Sequence, residues 1–347
     1  MIDALLRELE NNGIPSLHSV SLEVTTRCNL KCLHCYLSYA LRHEHFCYLD
    51  IESLKNILPT LSKRGCRNIS LIGGEPLLHP HIDEIIYLCK SSGFDITIYT
   101  NATLIDEKAV RLFRTHPITR LIITFYGSSN DDYRKLSVNN EEHLFTAIIE
   151  GLKYLKAYHI PYKLQAFLLR GNLFLRSALE RILPEEKHIA EGFTVIPRSA
   201  IDRTNQNVMI PVSQISNIIR PSRKYMWGKA EWLKQFLYKN QIKWGCTAGL
   251  LGINITADFK IRPCVFIQDP DLSFSLDDYS FEDIFFKKMK MKIICQISYK
   301  SPCYHCNLRY FCCRCVALGY GMELNYEDDR VICQMAKAVK QKSNEAQ

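Results

Sequence analysis

Strand-like and helix-like segments alternate from residue 19 to about residue 196, and this alternation constrains the fold most. It predicts a parallel sheet covered by helices, because parallel strands need a long crossover between them. The predicted strands span residues 19–26, 68–74, 94–101, 120–127, 162–171 and 191–198. The predicted helices span residues 50–65, 81–93, 105–116, 140–159 and about 174–186. Since a complete barrel has eight such units and this stretch has about six, we predict an α/β fold with a partial (β/α)6 barrel.

The chain has 347 residues, of which 47% are apolar, so it can form more than one domain with a sizeable core. We predict an N-terminal helix at residues 1–18, the barrel at 19–200, a helical linker at 201–245 and a cysteine-rich domain at 246–347. The sequence has no run of 18 apolar residues and no secretory signal, which leads us to expect a cytoplasmic protein without a membrane partner. Its net charge of +8 is not gathered into one stripe, so we expect no nucleic-acid partner.

Fifteen cysteines in one chain indicate metal binding or catalysis if the compartment is reducing. Three of them, Cys28, Cys32 and Cys35, follow the first predicted strand with the spacing C-x3-C-x2-C. Three is an unusual number, because structural zinc binds four ligands and disulfides need pairs. A metal centre held here therefore has a ligand position that this group of cysteines does not fill.

Polar motifs also follow the next three predicted strands. They are Gly-Gly-Glu-Pro at 73–76, Tyr-Thr-Asn-Ala-Thr at 99–103, and a segment that begins at Thr124 and contains Arg134. The carboxyl ends of parallel strands meet at one edge of a barrel, where active sites lie. The sequence therefore predicts a single site built from four strand ends.

The cysteine motif, followed at once by Tyr36 and then by GGEP and TN, resembles the radical S-adenosylmethionine superfamily over residues 19 to about 200. The resemblance implies that Cys28, Cys32 and Cys35 bind three irons of a catalytic [4Fe–4S] cluster. The fourth iron would be chelated by S-adenosylmethionine. Reductive cleavage of that cofactor would release a 5′-deoxyadenosyl radical, which takes a hydrogen atom from a substrate.

The same resemblance assigns the second strand end to the cofactor. Gly73, Gly74 and Glu75 would receive the methionyl amino group, with the Glu75 carboxylate opposing its charge. The two glycines would let the backbone approach the ligand, because they have no side chain to block it.

Four further residues resemble cofactor-binding positions. Asn101, Thr124 and Arg134 would contact the ribose or the methionyl carboxylate, and Tyr36 would lie beside the adenine. Each assignment except that of Thr124 has a structural alternative. Asn101 is also an ordinary turn residue, Arg134 suits a surface ion pair, and Tyr36 suits core packing.

The tail carries a second set of cysteines, for which two interpretations stay open. The run CYHCNLRYFCCRC at residues 303–315 suits a tetrahedral zinc site, but that site leaves Cys246, Cys264 and Cys333 unused. The full set resembles the SPASM extension of radical enzymes, which binds two auxiliary iron–sulfur clusters. In that interpretation the outer cluster is held by Cys303, Cys306, Cys312 and Cys333, and the inner cluster by Cys246, Cys264 and Cys315.

The tail departs from the SPASM pattern in two ways. Phe259 stands where the hairpin before the second cysteine usually has a glycine. The last pair is C-x2-C, so Cys313 is an alternative ligand, and either Cys313 or Cys295 is a candidate to close the inner site.

SPASM enzymes are mostly maturases of peptides and proteins, so the resemblance predicts an oxidative peptide modification such as a crosslink or thioether. It implies a reducing partner of flavodoxin or ferredoxin type, and an inner cluster that takes an electron from the substrate radical. Only 18 residues precede the first predicted strand, so recognition of a leader peptide would fall to a separate protein or to the barrel. The alternatives are a small-molecule radical enzyme of haem-pathway or aminoglycoside type, and a non-catalytic electron-transfer or metal-binding protein.

Overall fold

A computed structural model of the chain describes residues 16–37, 46–137, 142–186, 188–192, 204–211 and 248–290, together with Asn11, Gln214, Leu308, Cys333, Ala336, Lys337, Lys340 and Gln341. The predicted N-terminal helix and helical linker lie almost entirely outside these residues. So does most of the predicted tail domain beyond residue 290.

The described core is one nine-stranded sheet with the order β6-β5-β4-β3-β2-β1-β7-β8-β9. The strands are Ser19–Thr25 (β1), Asn68–Gly73 (β2), Asp95–Thr100 (β3), Arg120–Phe125 (β4), Tyr162–Phe167 (β5), Ile189–Gly192 (β6), Gly252–Ile255 (β7), Lys260–Arg262 (β8) and Phe274–Ser275 (β9). The strands from β6 to β7 pair in parallel, and β7, β8 and β9 pair antiparallel. The α/β class and the partial barrel predicted from the alternation are confirmed.

In the described part of the chain, six α-helices connect the parallel strands. They are Ile51–Lys63 (α1), Ile82–Ser91 (α2), Glu107–Thr115 (α3), Asn130–Ser137 (α4), Leu144–Ala157 (α5) and Leu175–Ile182 (α6). The first begins where the sequence predicted, because the Asp50 carboxylate accepts a hydrogen bond of 2.8 Å from the Ser53 amide. The second is followed by Gly93, whose φ of +83° is the left-handed conformation expected after a helix.

The two faces of the sheet differ in chemistry because successive side chains of a strand point to opposite sides. On β1, Val20 and Leu22 join the buried core that the helices cover. Ser21, Glu23 and Thr25 lie on the opposite, inner face, which is rich in polar side chains along β1. The apolar half of each strand therefore stabilises the barrel and leaves the inner face available for chemistry.

Two details differ from the sequence prediction. The last predicted strand begins earlier, at Ile189 instead of 191, and residues 193–198 lie outside the described part of the chain. Helix α4 was not predicted, because its sequence is strongly polar and lacks an apolar stripe. It is held from the side by the buried ring of Tyr133, which packs against Tyr126.

Strands β7 and β8 form a hairpin directly before Cys264, and β7 pairs with β1 in parallel. This part of the predicted tail domain therefore continues the barrel sheet. The hairpin turn contains Phe259 with a φ of +57°, in the region that normally favours glycine. The unusual residue noted at this turn keeps the glycine-like conformation, and its side chain packs against the core.

Membrane crossing requires a long helix of strongly apolar character. Among the residues that the structure describes, no helix has both properties.

Candidate active site

The three cysteines of the first motif lie in a loop that follows β1 and packs against the core. The backbone amides of Leu30 and Leu37 point at the Cys28 and Cys35 sulfurs, each with an N···S distance of 3.4 Å. Leu33 ties the loop to the unpredicted helix α4, since its amide donates to the Leu136 carbonyl at 2.9 Å.

Burial keeps these thiols protonated unless a cation binds them. It raises the pKa of Cys28 to about 12 and that of Cys32 well above its usual range. The Glu75 carboxylate and Cys35 raise the pKa of Cys28 further, and Cys28 and Cys35 raise that of Cys32 further. A positively charged iron centre would reverse this, because a coordinating thiol is deprotonated. N–H donors directed at sulfur are also typical of iron–sulfur sites. The loop therefore fits a cluster.

A single metal ion fits less well. Within the described ranges, no three His, Cys, Asp or Glu side chains converge on a point where one ion would bind. Cluster ligands need not converge in this way, since each thiolate binds a different iron.

The glycines of the GGEP segment are required by a contact between strand ends. A Cβ atom on Gly73 would lie 2.2 Å from the Thr25 carbonyl oxygen, and one on Gly74 would lie 2.1 Å from that of Arg27. The segment docks there through backbone hydrogen bonds, from the Gly74 amide to Thr25 (2.7 Å) and from the Glu75 amide to Arg27 (2.8 Å). The space that a Cβ atom would need at each glycine is thus filled by residues at and just after the end of β1. The assignment of Gly73 and Gly74 to the cofactor stays a prediction.

The Glu75 carboxylate connects the second strand end to the third. It is fully buried and accepts hydrogen bonds from the Thr100 hydroxyl (2.8 Å), the Asn101 amide (2.8 Å) and the Leu77 amide (3.2 Å). Burial raises its pKa to about 7, while the three donors act in the opposite direction. The side chain assigned to the cofactor therefore also organises the site.

Asn101 connects the third strand end to the cysteine loop. Its side-chain amide donates to the Asn29 carbonyl oxygen at 3.0 Å and points at the Cys28 sulfur at 3.9 Å. Its own carbonyl oxygen accepts from the Thr103 amide and hydroxyl, at 3.0 and 2.6 Å. The structure therefore brings Cys28, Glu75 and Asn101 together.

Thr124 and Arg134 are placed differently. Thr124 lies on the inner face of β4, half-buried and opposite Gln165 of β5. Arg134 lies on α4 with its side chain half exposed, in an ion pair with Asp131. Among the described contacts, neither residue touches Glu75 or Asn101, so their assignment to the cofactor stays a prediction.

Tyr36 links the cysteine loop to the segment after Cys264. Its ring meets the Phe266 ring edge-on with centroids 5.2 Å apart, and its carbonyl oxygen accepts from the Gln268 side chain at 3.1 Å. Cys264 and Cys333 are the tail ligand candidates that lie within the described residues. Cys246, Cys295, Cys303, Cys306, Cys312, Cys313 and Cys315 lie outside them.

Several residues that build the site were not predicted from the sequence. Thr100, Asn29 and Thr103 complete the hydrogen-bond network, and their only sequence signal was a polar side chain next to a motif residue. The His34 ring lies between Tyr126 and Phe167, at centroid distances of 4.6 and 4.8 Å.

Residues 22–173 match the family described as the Radical SAM superfamily. Over 165 residues the chain is 33% identical to a probable GTP 3′,8-cyclase of Methanothermobacter marburgensis, covering 47% of this chain and 52% of the relative. Over 293 residues it is 27% identical to the antilisterial bacteriocin subtilosin biosynthesis protein AlbA of Bacillus subtilis, covering 79% of this chain and 61% of the relative. The chain thus spans about half to three fifths of the length of these curated relatives.

Solved structures of Streptococcus suis SuiB share the fold. The S-adenosylmethionine-bound structure has a TM-score of 0.65 at 17% identity, covering 89% of this chain and 75% of SuiB. The structure bound to precursor peptide SuiA has a TM-score of 0.62 at 16% identity, covering 89% and 74%.

We expect Glu75→Gln to destabilise the fold by about 1–3 kcal/mol, because a glutamine has one acceptor oxygen for three donors and turns its NH2 group toward one of them. Denaturant unfolding of the reconstituted protein measures the loss, and iron content reports whether the cysteine loop is kept. The matched control is Glu84→Gln, which alters a partly exposed carboxylate paired with Lys55. Equal stability of the two variants would contradict the organising role of Glu75.

Proposed function

We propose that this chain is a radical enzyme that oxidatively modifies a peptide, because its residues 22–173 match the Radical SAM superfamily. The radical chemistry is supported by one observation in particular. Three strand ends meet, and Cys28, Glu75 and Asn101 form one hydrogen-bonded group there. The peptide substrate is the finer part and rests on different support.

In the proposed reaction, Cys28, Cys32 and Cys35 hold a [4Fe–4S] cluster that supplies the electron for reductive cleavage of S-adenosylmethionine. The amides of Leu30 and Leu37, together with the Asn101 side chain, direct N–H groups at the Cys28 and Cys35 sulfurs that would bind the cluster. Hydrogen bonds to sulfur are one of the means by which a protein sets the cluster potential.

The chain also keeps water away from the loop. Leu30, Leu37 and Ala102 are buried around it. A dry site protects a reactive radical from side reactions. These residues would therefore exclude water while Glu75 and Asn101 orient the bound cofactor.

Two relatives support a peptide substrate. AlbA is named for subtilosin biosynthesis, and SuiB has been solved bound to its precursor peptide SuiA. The tail cysteines agree with this, since they resemble the auxiliary-cluster extension typical of peptide maturases. The probable GTP 3′,8-cyclase favours a second candidate, a nucleoside triphosphate substrate.

The cysteine assignment predicts that reconstituted protein with dithionite converts S-adenosylmethionine to 5′-deoxyadenosine, and that joint replacement of Cys28, Cys32 and Cys35 by alanine abolishes this. Chromatography of the product measures it. A matched triple variant, with Cys47, Cys66 and Cys89 replaced by alanine, should retain activity because these cysteines lie outside the motif. Persistent turnover after loss of the first three would refute the assignment.

The substrate class is tested by isotope transfer. Deuterated peptides encoded beside the gene should pass deuterium into 5′-deoxyadenosine, because the radical takes hydrogen directly from its substrate. Deuterated GTP in a parallel incubation should pass none. Transfer from GTP alone would replace the peptide with a nucleotide, and transfer from a porphyrin or sugar would favour a small-molecule enzyme.

The auxiliary clusters are a further part of the proposal, supported by the cysteine spacing. If both are [4Fe–4S], the variant lacking Cys28, Cys32 and Cys35 should retain about eight iron atoms per chain. Elemental analysis of iron and zinc in that variant distinguishes the two auxiliary clusters from a zinc site. Zinc with little iron in that variant would show that the tail holds a tetrahedral structural site instead.

A further inference from the structure

Strands β1 and β7 present polar side chains on the same inner face of the sheet. In their register Ser21 lies beside Asn254, and Glu23, two residues further along β1, shares the face of Ser21. The register of β7 with β8 places Arg262 opposite Asn254. A carboxylate, a carboxamide and a guanidinium thus lie on one face, on strands other than those that carry GGEP and Asn101.

The Glu23 carboxylate is buried without being fully paired. The side chain is 2% exposed, and its Oε1 atom has no hydrogen-bond donor among the described residues. Arg262 is close enough to influence the carboxylate electrostatically, but its Nε is directed to the Ser273 hydroxyl at 3.3 Å. A buried acceptor left in this state costs free energy, so it calls for a partner that the described residues do not provide.

Asn254 repeats the same feature on the neighbouring strand. Its side-chain nitrogen donates to the Ser21 carbonyl at 3.0 Å and to the Ile255 carbonyl at 3.4 Å, which fixes the orientation of the amide. With the nitrogen so held, the buried Oδ1 atom is left without a partner in the described part of the chain.

Glu23 lies near the loop of the first three cysteines. The Tyr36 hydroxyl of that loop is within electrostatic reach of Glu23, Arg262, Cys35 and Cys264. Glu23, Cys35 and Cys264 are therefore all neighbours of Tyr36. A substrate held between the proposed catalytic and auxiliary sites would meet this face.

We propose that Glu23 and Asn254 bind one nitrogen group of the substrate, a primary amine or a primary amide, through Glu23 Oε1 and Asn254 Oδ1. Two buried acceptor atoms that lack a donor among the described residues are complementary to a group with at least two N–H bonds. The proposal names a substrate contact for the radical enzyme proposed above and rests on that function. A lysine side chain or terminal amine would supply the charged form, and an asparagine or glutamine side chain the neutral one.

Fragments test the site without turnover. Saturation-transfer NMR on the reconstituted protein should detect n-butylamine or butyramide but not butyrate, whose carboxylate meets two acceptors. Glu23→Leu should weaken that binding at least ten-fold, and Asn254→Leu should do the same. Glu23→Gln then separates the two chemistries, because it removes charge but keeps an oxygen: amine binding falls, whereas amide binding stays.

The thermal unfolding temperature distinguishes a substrate-binding role of Glu23 from a purely structural one. If Glu23 only stabilised the fold, its replacement by leucine would lower that temperature. Glu23→Leu should leave the unfolding temperature unchanged or raise it, since it removes an unpaired buried carboxylate. The matched control is Glu191→Leu on β6, which removes a carboxylate paired with Arg176 at 3.4 Å. It should lower the unfolding temperature and leave fragment binding intact.

The proposal is overturned if no nitrogen fragment binds the wild-type protein, or if Glu23→Leu binds it unchanged. It is also overturned if Glu23→Leu destabilises the fold as much as Glu191→Leu does. Failure of the wild-type protein to cleave S-adenosylmethionine would instead count against the proposed function, so the two failures are distinguishable.

Discussion

The close contact between the first and second strand ends is the constraint on which the site depends. The backbone of Gly73 and Gly74 approaches Thr25 and Arg27 so closely that no side chain fits between them. Two backbone hydrogen bonds hold this contact and place Glu75 beneath the cysteine loop. The loop is therefore positioned by its neighbours and does not depend on its own sequence alone.

Buried hydrogen bonds extend this arrangement to the third strand end. The Glu75 carboxylate receives donors from Thr100, Asn101 and Leu77, and Asn101 reaches on to Asn29 and the Cys28 sulfur. A fully satisfied buried network is stiff, because every broken contact leaves a polar atom without water. Stiffness suits the proposed role of this site, which is to hold a cofactor in one orientation.

The inner face of the sheet provides the contrast. There, Glu23 and Asn254 each carry a buried oxygen without a donor in the described part of the chain. The Glu75 carboxylate accepts hydrogen bonds from three donors, whereas one oxygen of the Glu23 carboxylate has no donor among the described residues. Both carboxylates are buried, and burial raises the pKa of each to about 7. The difference follows from position, since Glu75 lies among strand-end amides and Glu23 lies on a strand face whose own amides are engaged in the sheet.

The sequence by itself determined the α/β class, the helix that begins at Asp50, and the strand ends that carry the motifs. These follow from local chemistry, because the apolar period, the caps and the cysteine spacing all act over a few residues. Helix α4, the docking role of Gly73 and Gly74, and the pairing of β7 with β1 were decided by tertiary structure. Each depends on a partner far away in the chain: Tyr126 for Tyr133, Thr25 and Arg27 for the glycines, and Ser21 for Asn254. Short-range sequence patterns do not predict contacts between residues that are far apart in the chain. The type of each residue is therefore known from the sequence, whereas the group that it contacts depends on how the strands pair in the folded protein.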